Sequence, residues 1–159
     1  MTVRKVLVLG YGNPGRLDDG LGPAFAEEMA RRAIPGVTTD ADYQLTVEDA
    51  AAVAAHDVVI FADASVNGRE PFELGRVAAS MEVGFSSHSM SPSNVLGMSS
   101  ELFGAKPSAF ALAIRGYEFD RFGERLSPRA AGNLAEAAAF AEELIRTEAF
   151  ESAAASTKG

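Results

Sequence analysis

The sequence predicts an α/β fold of three layers, a twisted and mostly parallel sheet of about five strands with helices on both faces. Three observations carry this. Val6-Leu7-Val8-Leu9 and Val58-Val59-Ile60-Phe61-Ala62 are uninterrupted apolar runs of strand length, the pattern of strands buried on both faces. Stretches with helical patterning alternate with the strand segments, as in layered α/β domains. Two Ser-Pro pairs, Ser91-Pro92 and Ser127-Pro128, mark helix starts, with serine as N-cap and proline in the first turn.

The first strand stops at Gly10, and a glycine-rich loop follows through Gly15 to Asp18-Asp19-Gly20. A helix is expected from about Pro23, with Phe25 and Met29 on its apolar face, ended by Pro35-Gly36. Val37 to Tyr43 reads as a weak strand, and Thr46 as the N-cap of a short helix to about Ala55. The Val58–Ala62 strand terminates in Asp63. Phe72 to Ala78 is a further strand candidate, and 86–90 a loop. A helix runs from Ser91-Pro92 to a stop at Gly104, and a strand spans Phe110 to Ile114. The last helix opens at Ser127-Pro128 and carries Leu134, Ala138, Ala141 and Ile145 on its apolar face. Residues 1–150 are expected to form one domain; 151–159 are small and polar and are expected to fray.

Composition narrows the function. The 159 residues hold 14 Lys and Arg against 22 Asp and Glu, a formal net charge of −8, which repels nucleic acid. The absence of Cys excludes disulfides, thiolate metal sites and a cysteine nucleophile. No apolar run is long enough to span a membrane, and the N-terminus lacks a signal-peptide pattern, so a cytoplasmic protein is expected.

Gly10, Gly12 and Gly15 match the spacing of a dinucleotide-binding loop. The mechanism of that motif requires the helix to begin at the third glycine and point its N-terminus at a pyrophosphate. Here Asp18 and Asp19 occupy that place, so a dinucleotide-binding protein is only a weak alternative, even with Asp40 or Asp42 as a ribose-binding acid.

Ligands of open α/β sheets gather beyond the carboxyl ends of the strands. Asp18 and Asp19 follow the first strand, Asp63 ends another, and His88 lies in the serine-rich loop after the next. Two carboxylates and an imidazole converging there would make a three-ligand cation site with open positions. Asp18 also fits an acidic residue complementing a helix N-terminus, and His56 fits a helix C-terminal imidazole bonded to the last carbonyls. Arg115-Gly116-Tyr117 belongs to the same rim.

These residues resemble the hydrogenase maturation endopeptidases, which trim the C-terminal tail of the nickel-iron hydrogenase large subunit. The resemblance runs from Val6 to about Ile145. Gly10-Tyr11-Gly12-Asn13 through Asp18-Asp19-Gly20-Leu21-Gly22 is similar to the family's G-x-G-N…D-[DE]-G-x-G block. Phe61-Ala62-Asp63-Ala64 is similar to its strand-VDA block, Ser87-His88 to its histidine loop, and Leu126-Ser127-Pro128 to the block opening the last helix. The acid matching Asp19 is often Glu in relatives, one methylene longer. Residues 40–45 resemble a Gln-Leu variant of a loop that is often Asp-Gly-Gly-Thr-like.

The resemblance implies an endopeptidase that removes the C-terminal extension of a nickel-iron hydrogenase large-subunit precursor. Asp19, Asp63 and His88 are then both the metal-binding and the catalytic set. It also implies that nickel already in the precursor is the recognition handle, with no organic cofactor, no nucleic acid and no membrane. Two routes to hydrolysis are open at this stage: metal polarisation of the scissile carbonyl or activation of a water, and an aspartate as general base. A non-catalytic nickel chaperone or scaffold would use the same three ligands.

Overall fold

In the computed structural model, residues 4–157 are described except for 82–89. Five strands, β1 (Val6–Tyr11), β2 (Val37–Asp42), β3 (Val58–Ser65), β4 (Phe72–Arg76) and β5 (Ser108–Arg115), form one sheet in the order β2-β1-β3-β5-β4. The first four in that order run parallel, and β4 pairs antiparallel with β5 at the edge. The expected α/β class and strand number therefore hold.

The helices are α1 (Leu21–Arg32), α2 (Asp49–Ala54), α3 (Pro92–Phe103), α4 (Pro128–Thr147) and α5 (Phe150–Thr157). Alternation along the strands divides the core into two. Val6, Val8, Val58, Ile60, Phe110 and Leu112 pack against α1, α4 and α5. Leu7, Leu9, Val59 and Phe61 pack against α2 and α3. The buried face of α4 is built around Ala137, Ala138 and Ala141 with Leu144, while Leu134 and Ile145 lie at its margins.

Local chemistry explains most boundaries. The Ser91 and Ser127 side chains accept from the backbone N–H of Asn94 and Ala130, and Gly104 closes α3 in the left-handed conformation, φ 65°. Four expectations are corrected. Helix α1 begins at Leu21, before Pro23, because a 3-10 turn at Leu17–Gly20 already winds the chain into it. Thr46 does not cap α2 with its side chain; its backbone N–H donates to Asp49 Oδ2 (2.8 Å), and α2 starts at Asp49. Strand β3 does not stop at Ala62 but continues to Ser65, because β5 keeps pairing with it. The segment after Phe150, expected to fray, is helical through Thr157. Phe150 and Ala154 are buried, and the Phe150 ring stacks on Phe110 with centroids 5.3 Å apart.

Candidate functional site

The chain leaves β1 towards β2 on one side and reaches β3 on the other, so a topological switch point lies between the carboxyl ends of β1 and β3. The last β1–β3 pair is Gly10 with Ala62, which leaves Tyr11 and Asp63 side by side just beyond it. Tyr11 packs on the α2–α3 face, and strand alternation directs Asp63 to the same face.

The 3-10 turn brings Asp19 to this point. Its Oδ2 accepts the backbone N–H of Asn13 (2.9 Å), which ties the turn to the glycine loop. The glycines serve close backbone approach. A Cβ on Gly22 would fall 2.2 Å from the Tyr11 carbonyl oxygen and 2.6 Å from that of Ala62. One on Gly12, at φ +140°, would fall 2.2 Å from the Asp19 carbonyl oxygen. The N-terminus of α1 is thus pressed onto two strand ends.

Asp19 and Asp63 are brought together electrostatically. Burial raises the Asp63 carboxyl to a pKa of about 6, and the negative charge of Asp19 adds to the rise. Hydrogen bonds from the Ala64 N–H (2.8 Å) and Tyr11 oppose it only in part. Burial, then the neighbouring Asp63 carboxylate that its hydroxyl bonds, drives the Tyr11 phenol far above its usual range, so Tyr11 stays a neutral donor. The arrangement is a half-buried pair of carboxylates with a phenol beside it.

Asp18 has a different task. It is fully buried. Its Oδ2 accepts from the backbone N–H of Tyr117 (2.8 Å) and Glu118 (2.9 Å) and from the Ser127 hydroxyl (2.7 Å); its Oδ1 accepts from the Ser127 N–H (2.7 Å). Burial pushes its pKa up, but these four hydrogen bonds outweigh burial and hold it below the ordinary value. Leu17 beside it is buried at φ 51°, a strained conformation for a residue with a Cβ, held by its N–H on the Gly123 carbonyl (2.9 Å). Asp18 therefore clamps the 116–127 loop, and that clamp aims the next residue, Asp19, at the switch point.

His88 lies outside the described residues, as does Ser87. Among the described residues no group of three His, Asp or Glu side chains could hold a metal ion. The described chain resumes at Met90, whose N–H donates to the Leu45 carbonyl (3.2 Å) and whose side chain packs on the cluster that holds Tyr11. His56 takes its expected structural place, with Nδ1 2.7 Å from the Ala52 carbonyl oxygen. Arg115 seals the rim: it donates to the Gly68 carbonyl (2.7 Å), and its guanidinium and that of Arg129 lie 5.1 and 4.7 Å from the Tyr117 ring centre.

Two contributors escaped sequence reasoning. Tyr11 had a usable signal, since it shares parity with the apolar Leu7 and Leu9 yet stands at a strand end. The Asp18 clamp had none, because its partners lie about a hundred residues away.

No protein-family model matches the chain, and no curated protein matches it significantly. Solved structures do. A [NiFe] hydrogenase maturation protease, HycI from Thermococcus kodakarensis KOD1, superposes with a TM-score of 0.70 at 20% identity, over 90% of this chain and 93% of that one. The hydrogenase maturating endopeptidase HybD from E. coli gives 0.67 at 20%, over 91% and 93%. HybD from Thermococcus kodakarensis gives 0.67 at 21%, over 89% and 99%. The chain therefore has the fold of the hydrogenase maturation proteases along nearly its whole length.

Proposed function

We propose that this protein is an endopeptidase that removes the C-terminal extension of a nickel-iron hydrogenase large-subunit precursor, acting in the cytoplasm after nickel has been inserted. The observation that carries the reading is the Asp19–Asp63 pair at the switch point, within the fold of proteins that perform this maturation.

Two half-buried carboxylates raise each other's energy, and a divalent cation presented between them relieves the repulsion and the missing solvation at once. In this reading the cation is the nickel of the precursor, so it arrives with the substrate. Asp19 and Asp63 supply oxygen donors, and His88 supplies the nitrogen donor that suits nickel. Tyr11 holds Asp63 in one orientation. An Asp63 carboxyl raised to about 6 is still charged at neutral pH, and so available to a cation. Docking through the metal holds the scissile bond against these groups, and an empty precursor lacks that anchor.

The test is a time course with matched nickel-loaded and metal-free precursor, read by intact mass. The loaded form is expected to lose its tail, while the metal-free form and a free tail peptide persist. Unchanged mass in both forms would refute the endopeptidase and leave the non-catalytic nickel chaperone or scaffold standing; equal cleavage of both would refute gating by the metal.

Metal affinity gives a second test. The isolated protein should bind nickel or cadmium weakly, through three ligands with no thiolate. His88→Ala should lower that affinity by ~10–100-fold, at least the loss seen when a ligand's supporting partner is removed. His56→Ala should leave it unchanged, because His56 is committed to the end of α2. Calorimetry showing equal binding by wild type and His88→Ala would remove His88 from the ligand set.

A further inference from the structure

A cavity of about 760 Å³ opens at the end of the sheet opposite Asp63, where three parallel strands begin. Lys5 precedes β1, Asp57 precedes β3, and Ser108 starts β5. The backbone there is stitched together. Lys5 N–H donates to Asp57 Oδ2 (2.8 Å), Asp57 N–H to the Lys5 carbonyl (2.8 Å), and Ser108 N–H to the Asp57 carbonyl (3.0 Å).

The charge of this cavity runs against that of the chain. Arg4, Lys5 and Lys106 line it with His56, and Asp57 is the one carboxylate among the described residues of its wall. Elsewhere Arg31, Arg32, Arg76, Arg129 and Arg146 pair with glutamates, while Arg16, Arg115, Arg121 and Arg125 form no ion pair with any described residue. Arg4, Lys5 and Lys106 form no ion pair with any described residue. Helix C-termini favour nearby cations, which accounts for His56 after α2 and in part for Lys106 after α3. It does not account for Arg4 and Lys5, which arrive on the lead-in to β1. With Nδ1 of His56 on the Ala52 carbonyl, Nε2 is the ring nitrogen left for a ligand.

We propose that this cavity binds a small anion carrying a chain of two or more phosphates. The volume lies within the ~300–1,000 Å³ range of small-molecule sites. The cations come from separate segments around the opening, which suits a ligand with several charges spread along its length over a single compact ion. Small walls at Ala54 and Pro107 leave room between them.

Calorimetry at low ionic strength, where such contacts are least screened, tests this with tripolyphosphate and with ATP in separate titrations. Wild type is expected to bind with a Kd below about 1 mM. The double variant Lys5→Gln, Lys106→Gln should bind at least tenfold more weakly with an unchanged circular dichroism spectrum, while Arg31→Gln, on the outer face of α1, should bind as wild type does. Equal affinity for the two ligands identifies the phosphate chain as what is held, and tighter ATP binding identifies a nucleotide. Absence of binding by wild type to both, or undiminished binding by the double variant, overturns the proposal.

Discussion

Asp63→Asn is expected to make the protein more stable at neutral and alkaline pH while reducing precursor processing by at least ~100-fold, the lower end of what a positioned acid or base contributes. The stability gain follows from the sign of the shift. Burial, reinforced by Asp19, raises the folded-state pKa of Asp63 to about 6. A carboxyl raised in the fold favours its protonated form there, so its contribution is largest below the unfolded value, ~3.9, and declines as pH rises through about 6. Above that window the fold carries an uncompensated charge. The Asn side chain removes the charge and keeps an oxygen for the Ala64 N–H, while the Tyr11 hydroxyl can accept from its NH2 group as well as donate. The gain should be about 1–3 kcal/mol near pH ~8 and should vanish near pH ~4. Urea denaturation at the two pH values measures it. An Asp63→Asn variant less stable than wild type at the higher pH would show that the carboxylate is not held against its own solvation.

Asp18→Asn is expected to have the opposite profile, costing about 1–3 kcal/mol of stability, the range for leaving a buried donor unsatisfied. Four donors converge on the carboxylate, three on one oxygen and one on the other. However the Asn amide turns, its NH2 group faces at least one N–H. At ~2–4 °C per kcal/mol for a domain of this size, the melting temperature should fall by roughly 2–12 °C. Here the folded-state pKa is lowered, so the stabilisation is present above the unfolded value, ~3.9, and is lost as pH falls through the folded one. The gap between wild type and variant should therefore narrow in acid. Thermal melts that coincide at neutral pH would mean the 116–127 loop is held by something other than Asp18.

The contrast between these two acids marks where the sequence was readable. The apolar runs of β1 and β3 and the Ser-Pro helix starts depend on residues close in the chain, and each stands where expected. Asp63 was legible because it closes an apolar run, although β3 carries it within a strand that pairing with β5 prolongs. Asp18 and Asp19 looked alike. Only tertiary contacts separate them, sending one into a buried clamp and leaving the other half-exposed at the switch point. The α5 helix was missed for a similar reason. Its segment is mostly small and polar, and the apolar contact that fixes it is a stack against Phe110, forty residues upstream.

The Asp18–Ser127 bond also sets an order in time. Its two ends are 109 residues apart. At ~5–20 residues per second, a ribosome that has just released Asp18 needs roughly 5–20 s more to produce its partner. Until then the Asp18 carboxylate lacks two of its four donors, and the clamp beside Asp19 is incomplete. A growing chain can lay down β1, β3 and β5 without owning a working pair of carboxylates. The last long helix must begin before the site exists, so a chain cut short upstream of Ser127 would be expected to leave its target untouched.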